Sequence, residues 1–338
     1  MSVAKRSNVT LADVASAAGV SRSTASRALN NSPRISRKTT ERIRRIADEM
    51  GFIPNAQGRA LAVGRTETIA ILMTEPLDGL FDDPTYAVFI SGISEKLSES
   101  SYLPVLLQAS TDFERRRVQQ HLERRAFDAV IDISPYADTY LLDEIRKLGI
   151  PAVLLGQMEN QPYEGVFSVV YSDDRQGARL AAQAMADAGR KHPVSILGPH
   201  ANPASPDRLA GYRKVYGDKL SDDRVLYTGW DTTAGFTAMM NLLDCHEKID
   251  GVLAGSDRIA VGAIEALHQR GVKVPEDIAV VGFDDHPIAG RCDPALTTVH
   301  QPLKEEGVTA AELAMGMIDG DGATTVIKHM TLVRRDSL

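Results

Sequence analysis

The residues with the most distinctive chemistry form a hydroxyl-rich and arginine-rich run at positions 21–27. Its polar members are Ser21, Arg22, Ser23, Thr24, Ser26 and Arg27. Hydroxyls and the free amides of a helix N-terminus suit phosphate oxygens, whereas arginine can bond O6 and N7 of guanine through two parallel hydrogen bonds. The run therefore predicts contact with duplex DNA, provided that a helix begins at its first residue.

Three short helices are predicted to position this run. Thr10 supplies an N-cap hydroxyl, apolar residues then recur at helical spacing, and Gly19 ends the first helix. Ser21 caps a second helix after a turn of about three residues, which is the spacing of a helix-turn-helix. Ser36 caps a third helix that ends at Gly51. A small helical bundle without affinity for DNA would show the same spacing, so the helices alone do not decide the function.

The charge of the chain is divided unevenly. The 338 residues have a formal net charge of -7, but residues 1–65 contain twelve basic and four acidic residues and so carry +8. The remaining residues carry -15. A basic head on an acidic body indicates a polyanion-binding module joined to a part with another task.

The acidic body alternates short β-branched runs with amphipathic stretches, which predicts an α/β fold of two doubly wound parallel sheets. Strands are expected near residues 68–73, 103–108, 129–133 and 151–155, and in a second set near 167–171, 194–197, 225–227, 251–253 and 278–281. One more strand and helix at 297–319 and a last strand near 325–333 complete the pattern. Two such facing subdomains would hold a ligand at the carboxyl ends of their strands.

Segments 9–15 (VTLADVA), 18–21 (AGVS), 26–30 (SRALN) and 59–62 (RALA) stand in a long and particular order in the basic head. In that order the head resembles the DNA-binding signature of the LacI/GalR family of bacterial transcription regulators. The resemblance implies that Arg22 and Ser23 select the operator sequence and that Arg27 contacts a base. It assigns mainly phosphate contacts to Thr10, Ser21, Thr24, Ser26 and Asn30.

The resemblance also implies a hinge helix at residues 55–62 that includes the DNA-binding residues Asn55 and Arg59. In the family this helix forms only on DNA, and its leucine, here Leu61, enters the minor groove and helps to bend the duplex. The sequence departs from the family at Gly58, where alanine is usual, and a glycine costs about 0.5 to 1 kcal/mol in a helix interior. The hinge is therefore expected to be harder to order without DNA. A buried linker residue is the alternative interpretation of Leu61.

The body resembles the effector-binding and dimerisation domain of the same family, which has the periplasmic-binding-protein architecture. The implied domains are residues 1–54, a hinge and linker at 55–65, and a body at 66–338, whose N-subdomain covers about 66–163 plus 297–325 and whose C-subdomain covers about 164–296. Segments at predicted strand ends match the effector-contacting positions of the family. They imply effector contacts by Phe81, Tyr86, Asp173, Arg208, Trp230, Asp257, Asp284 and Gln301.

The chemistry of these side chains suits a neutral polyhydroxylated ligand. Asp257 and Asp284 would accept hydrogen bonds from vicinal hydroxyls, and Arg208 would donate a fork. Trp230 would offer a flat apolar face to a sugar ring. Taken singly, an aspartate or arginine at a strand end is often only a helix cap or a surface charge.

The first βα loop bears on the identity of the sugar. Thr85 replaces an aromatic residue that sugar regulators often carry there. With Glu75 and Phe81, this loop looks more like that of regulators that respond to oligosaccharides such as maltose-type glucosides. A purine or nucleoside effector, and a corepressor rather than an inducer, remain open.

Other classes of function lack their motifs. The sequence contains no GxGxxG, Walker A, GxSxG or HExxH pattern, which argues against an enzyme, and no cofactor or metal is expected. A transport binding protein would explain the body but not the DNA-binding head. The absence of a signal peptide and of a membrane anchor predicts a cytoplasmic protein. We expect a homodimer on palindromic double-stranded operator DNA, because the leucine heptads that make the lactose repressor a tetramer are missing after residue 333.

Overall fold

A computed structural model of the chain describes residues 9–30, 32–52, 64–76, 82–136, 139–158 and 160–338. The chain divides into two compact units, Met1–Glu67 and Thr68–Leu338. Within the described ranges, no helix combines the length and the apolar character that crossing a bilayer requires.

The first unit contains the helices α1 (Leu11–Ala17), α2 (Arg22–Leu29) and α3 (Arg37–Glu49). Each helix begins after the predicted hydroxyl N-cap, namely Thr10, Ser21 or Ser36. Gly19 has a φ of +62°, a left-handed conformation that lets the chain turn from α1 into α2. The three helices pack around small apolar side chains and the fully buried Ile43. The predicted helix-turn-helix is therefore confirmed.

The second unit alternates strands and helices as predicted. Its strands are β1 (Thr68–Met73), β2 (Leu103–Gln108), β3 (Ala129–Asp132), β4 (Ala152–Leu155), β5 (Ser168–Ser172), β6 (Pro193–Leu197), β7 (Val225–Tyr227), β8 (Gly251–Ala254), β9 (Ala279–Asp284), β10 (Thr297–His300), β11 (Thr325–Lys328) and β12 (Thr331–Val333). Its α-helices are α4 (Pro84–Leu97), α5 (Asp112–Glu123), α6 (Tyr140–Leu148), α7 (Asp174–Asp187), α8 (Ala204–Tyr216), α9 (Thr232–Cys245), α10 (Asp257–Gln269) and α11 (Leu303–Asp319). Two short 3-10 helices, Gly217–Leu220 and Asp222–Arg224, follow α8.

Two six-stranded sheets organise the second unit. The first sheet has the order β11-β5-β4-β3-β1-β2, and the second has the order β12-β10-β9-β8-β6-β7. The neighbouring strands are parallel except for β10 and β12, which pair antiparallel. We call the first sheet with α4, α5, α6 and α11 the first half, and the second sheet with α7 to α10 the second half.

The subdomain boundaries differ from the predicted ones. The strand predicted near residues 167–171 as the start of the second set is β5, which pairs with β4 and β11 in the first sheet. The strand that opens the segment 297–325, predicted for the first subdomain, is β10, which pairs with β9 in the second sheet. The predicted last strand is two strands, β11 and β12, in different sheets. Sequence alternation shows where strands occur but not which sheet each strand joins.

The chain therefore crosses between the halves three times: after β5, after β10 and after β11. The second of these crossovers leads into α11, which packs against α4 on the first sheet. Two glycines allow the backbones of these helices to approach closely. A Cβ atom at Gly307 would collide with the carbonyl oxygen of Phe89, and one at Gly92 would collide with that of Lys304. The start of α11 is thereby fixed against the first half.

Candidate ligand cleft and nucleic-acid surface

Helix α2 presents the predicted DNA-contacting side chains along its length on the surface of the first unit. The exposed ones are Ser21, Arg22, Ser23 and Arg27, and the half-buried ones are Thr24, Ser26 and Asn30. Neither Arg22 nor Arg27 forms an ion pair with another described residue, whereas Arg37 on α3 pairs with Glu41 at 2.9 Å. The exposed guanidinium groups of Arg22, in the first turn of α2, and of Arg27, in its last turn, fit contact with phosphates and base edges.

Hydrogen bonds order the hydroxyls of this surface. Ser21 Oγ accepts the amide of Thr24 at 3.1 Å and lies 2.9 Å from Ser23 Oγ. At the start of α1, the carboxylate of Asp13 accepts the amide of Thr10 at 2.8 Å and its hydroxyl at 2.7 Å. These bonds from Thr10 lower the pKa of Asp13. Thr10 and Ser21 thus cap their helices, a role that leaves each at the surface where a phosphate could approach.

Several predicted residues lie outside the described ranges. They are Asn55, Gly58, Arg59 and Leu61 of the hinge, and Phe81 of the first βα loop. Their assignments stay predictions.

A cavity of about 330 Å³ opens between the carboxyl ends of the two sheets in the second unit. Its volume is at the lower end of the roughly 300 to 1,000 Å³ that is usual for small-molecule sites. The predicted effector residues that line it are Tyr86, Arg208, Trp230, Asp284 and Gln301. Five of the eight predicted effector residues therefore line this cavity, and their contacts with an effector stay a prediction.

Arg208 is a buried hub in this cavity. Only 5% of its surface is exposed, and its Nε donates to Asp174 Oδ1 at 2.7 Å. Its Nη1 donates to the carbonyl oxygen of Gly255 and lies 3.5 Å from Asp284 Oδ1. The guanidinium carbon also stands 3.7 Å from the ring centroid of Phe283. The guanidinium group of Arg208, predicted to donate to the ligand, thus donates to protein groups. It orients the carboxylates of Asp174 and Asp284 beside the cavity.

The carboxyl groups of Asp174 and Asp284 have raised pKa values because they are buried. Burial raises the pKa of Asp174 to about 6, although the charge of Arg208 opposes the rise. Burial likewise raises the pKa of Asp284, against the charge of Arg208. Asp284 also accepts Gln301 Nε2 at 2.5 Å and has a φ of +104°, a strained value for a side chain other than glycine. The strained turn at the end of β9 therefore points the carboxylate at its partners in the cavity.

Two other predicted effector residues, Asp173 and Asp257, do not line the cavity. Asp173 Oδ1 accepts the amide of Gln176 at 2.9 Å and so caps α7, and its neighbour Asp174 lines the cavity instead. The fully buried Asp257 accepts the amide of His286 at 2.7 Å and the hydroxyl of Thr298 at 2.5 Å. Its oxygens thus tie loops of the second half together and are not turned to a ligand.

The first half contributes an aromatic wall. The hydroxyls of Tyr86 and Tyr136 lie 3.2 Å apart, and Tyr136 donates to Glu75 Oε1 at 3.4 Å. Burial raises the pKa of both phenols, so they remain neutral donors and acceptors at ordinary pH. Such rings combine an apolar face with a polar edge, which suits a sugar.

Trp230 supplies an aromatic face from the second half. Its ring packs so closely on Gly198 that a Cβ atom there would collide with it, so only glycine fits. The guanidinium carbon of Arg208 lies 5.6 Å from the indole centroid, within the range of a cation–π contact. These contacts fix the orientation of the ring at the cavity.

Contacts across the cleft join the two halves. Arg258, the second residue of α10, pairs with the carboxylate of Asp83 and donates to the carbonyl oxygen of Asp82 at 3.1 Å. Thr85 Oγ1 lies 3.2 Å from His286 Nε2. The threonine that replaces an expected aromatic residue thus takes part in this cross-cleft contact.

Polar lining residues that were not predicted include Tyr136, Asp174, Arg258 and Glu306. Tyr136 follows a strand, and Asp174 and Arg258 lie in the first turn of a helix, so their positions in the sequence could have indicated that they line the cavity. Glu306 gave no signal, because a glutamate in the first turn of a helix usually faces solvent. Among the described residues, no group of His, Cys, Asp and Glu could hold a metal ion.

Each unit contains a segment that matches a known protein family. Residues 10–55 match the family described as bacterial regulatory proteins, lacI family, and residues 182–338 match the periplasmic binding protein-like domain. The HTH-type transcriptional regulator CelR of Thermobifida fusca is 34% identical over 320 residues, which cover 94% of each chain. The ribose operon repressor of Escherichia coli K12 is 30% identical over 91% of this chain and 93% of its own.

Solved structures of transcriptional regulators are also similar to this chain. A complex of the transcriptional regulator CelR with cellobiose has 32% sequence identity and a TM-score of 0.76, and covers 98% of this chain and 100% of its own. A lac repressor dimer bound to operator and an anti-inducer has 23% identity and a TM-score of 0.82 over 98% and 99% of the two chains, which shows a shared fold. A regulator from Enterococcus faecalis with bound ribose has 26% identity and a TM-score of 0.69, covering 80% of this chain and 98% of its own.

Proposed function

Because the chain belongs to the LacI family of bacterial transcriptional regulators, we propose that it is a repressor whose affinity for operator DNA is controlled by a sugar bound in the cavity of the second unit. It is a regulator and not an enzyme. The sugar acts by allosteric coupling, which typically amounts to ~1 to 3 kcal/mol and changes operator affinity about five- to 150-fold.

The cavity carries this proposal. It combines an indole face at Trp230, two phenols at Tyr86 and Tyr136, and the carboxylate and amide of Asp284 and Gln301. Flat apolar faces beside convergent hydrogen-bonding groups recognise the two sides of a pyranose ring. CelR was solved with cellobiose and the E. faecalis regulator with ribose, which supports a sugar as the ligand class.

Isothermal titration of the full chain with cellobiose, maltose and ribose tests the effector. We expect one of these sugars to bind, and the variant Trp230→Leu to bind it at least about tenfold more weakly, since stacking and burial of an aromatic ring are lost. Tyr227→Leu is the matched control, because Tyr227 is an aromatic residue three positions earlier that does not line the cavity. Equal loss in both variants, or none in Trp230→Leu, would contradict the placement of the sugar.

Operator binding is tested by selecting duplexes from a random pool with the full chain. We expect a palindromic site, because two helix-turn-helix units related by twofold symmetry read symmetric half-sites. Adding the bound sugar to the selected duplex shows the direction of control: release identifies an inducer, and tightening identifies a corepressor. The predicted minor-groove contact of Leu61 stays a prediction, because that residue lies outside the described ranges.

The edge of the first sheet supports a homodimer. Strand β2 pairs only with β1 among the described strands, and it exposes 68% of Leu103 and 43% of Leu106. An exposed apolar edge strand is a surface that monomers avoid and that a partner can cover. The lac repressor neighbour was solved as a dimer, so a second copy of this chain is the occupant that we propose.

A further inference from the structure

The three crossovers between the halves are bonded to one another. At the first, the amide of Asp173 donates to the carbonyl oxygen of Lys328 at the third, at 2.9 Å. The side-chain amide of Gln176 donates to the carbonyl oxygen of Met330 at 3.2 Å and accepts its amide at 3.1 Å. These contacts form a junction between the two halves of the second unit. We call it the hinge junction, and it is distinct from the predicted hinge helix at residues 55–62.

Glu306 connects the remaining crossover to the hinge junction. It lies in the first turn of α11, where its amide donates to the carbonyl oxygen of Pro302 at 3.0 Å. Its carboxylate accepts a hydrogen bond from the hydroxyl of Ser172, the last residue of β5. Glu306 is only 2% exposed, yet it lines the ligand cavity. One side chain is therefore part of both the ligand site and the hinge junction.

The surroundings of Glu306 disfavour its charge. Burial raises its pKa to about 7, and the nearby carboxylate of Asp174 adds to the rise. The hydroxyl of Ser172 and the charge of Lys328 oppose the rise without cancelling it. The next residue, Gly307, lies so close to the carbonyl oxygen of Phe89 that a Cβ atom would collide with it, so this turn of α11 is packed tightly on α4. A carboxyl group in this position can donate as well as accept a hydrogen bond.

We infer that Glu306 is a specificity-determining residue of the effector site, which hydrogen-bonds a hydroxyl of a neutral sugar at the hinge junction and binds it best in the protonated form. A bound sugar displaces water from the cavity and so disfavours the charged carboxylate further. The affinity for the sugar should then fall as the pH rises. The inference rests on the sugar-dependent function proposed above. It adds that Glu306 recognises a hydroxyl of the sugar where the two halves join.

The test is isothermal titration of the full chain with cellobiose, maltose and ribose between pH 6 and pH 8.5, in two buffers with different heats of ionisation. Wild type should take up protons on binding its sugar and bind it more weakly at the higher pH, by up to roughly thirtyfold if only the protonated form binds, because the protonated fraction of Glu306 falls about tenfold for each pH unit above its pKa of about 7. Above pH 7, where Asp174 with its pKa of about 6 is mostly ionised, Glu306→Gln should lose both the proton uptake and this pH dependence, and Glu306→Leu should lose affinity at every pH. Glu305→Gln, a change at the exposed neighbouring glutamate, is the control and should behave as wild type.

If Glu306 only supported the fold, Glu306→Gln would bind the sugar with the same pH dependence as wild type. If Glu306→Gln binds the sugar with the same slope and the same proton uptake as wild type, the inference is wrong while the proposed function stands. If wild type binds none of the sugars at any pH, the proposed function fails and the inference with it. Circular dichroism of each variant before titration separates loss of binding from loss of fold, and Ser172→Ala, which removes only the hydroxyl partner, should shift the pH profile without abolishing binding.

Discussion

Replacing Arg208 by methionine should destabilise the second unit strongly. The change keeps most of the side-chain volume but leaves the buried carboxylates of Asp174 and Asp284 without their cation. Removing one partner of a buried ion pair costs about 3 to 5 kcal/mol, because the remaining charge is buried and uncompensated. We therefore expect the free energy of unfolding at pH 7 to fall by about that amount, as measured by urea unfolding of the full chain.

The pH dependence makes this prediction specific. Asp174 already has a folded-state pKa of about 6, above its ordinary value of 3.8, so its protonation favours the folded state. The stability gained by protonation is present at low pH and is lost as the pH rises through the folded-state pKa. Without the charge of Arg208 the pKa of Asp174 rises further, and the deficit of Arg208→Met should grow from pH 5 to pH 8.

Two further variants decide between ion pairing and simple packing. Arg208→Met combined with Asp174→Asn removes one stranded charge and should recover part of the loss. Arg213→Met, on the same helix, breaks a pair with the solvent-exposed Asp222 and should cost no more than about 1 kcal/mol. A deficit that does not depend on pH, or that equals the deficit of Arg213→Met, would refute the hub role of Arg208.

Three other outcomes are expected. The pKa of Glu306 rises from 4.5 to about 7 on folding, so Glu306→Gln should raise the free energy of unfolding at pH 8 by up to about 3 kcal/mol and by much less at pH 5. Equal effects at both pH values in urea unfolding would contradict the conclusion that burial raises this pKa. Leu103→Glu should convert the proposed dimer into a monomer in sedimentation equilibrium, since it places charge on the exposed edge of the first sheet. A dimer retained in this variant would contradict an interface at this edge. Arg27→Ala should weaken binding to the selected operator by about 1 to 3 kcal/mol and relax its sequence preference, whereas Arg37→Ala, which removes an ion-paired arginine on α3, should change it far less in a fluorescence anisotropy titration.

Local features of the fold were predictable because they depend on neighbouring residues. The caps at Thr10, Ser21 and Ser36 each lie directly before a helix, and the helix-turn-helix follows from them. The sheet assignment of β5 was not predictable in this way. Its residues read as a strand, but no local pattern shows that this strand pairs with β4 in the first sheet and is in turn flanked by β11, which lies more than 150 residues further along the chain.

The loops that line the cavity were predictable from the sequence, but not all of the side chains that enter it. Strand ends located Arg208, Trp230 and Asp284 correctly in the cavity. Of two adjacent aspartates, however, Asp173 caps the helix and Asp174 turns inward, and only the phase of α7 decides between them. Glu306 was missed because its burial depends on how closely α11 packs on α4, which no local pattern encodes.

The triple crossing of the chain between the halves also determines the order in which the protein can be assembled. The core of the first half contains Ala310, Ala311 and Ala314 of α11, and β11 covers the edge of β5. During synthesis, the segment from β1 to β5 therefore emerges long before the residues that complete its hydrophobic core. The second half receives most of its sheet from one continuous stretch and can fold earlier, because its contacts are closer in sequence. Neither the first half nor the ligand cavity can be complete until almost the whole chain has left the ribosome.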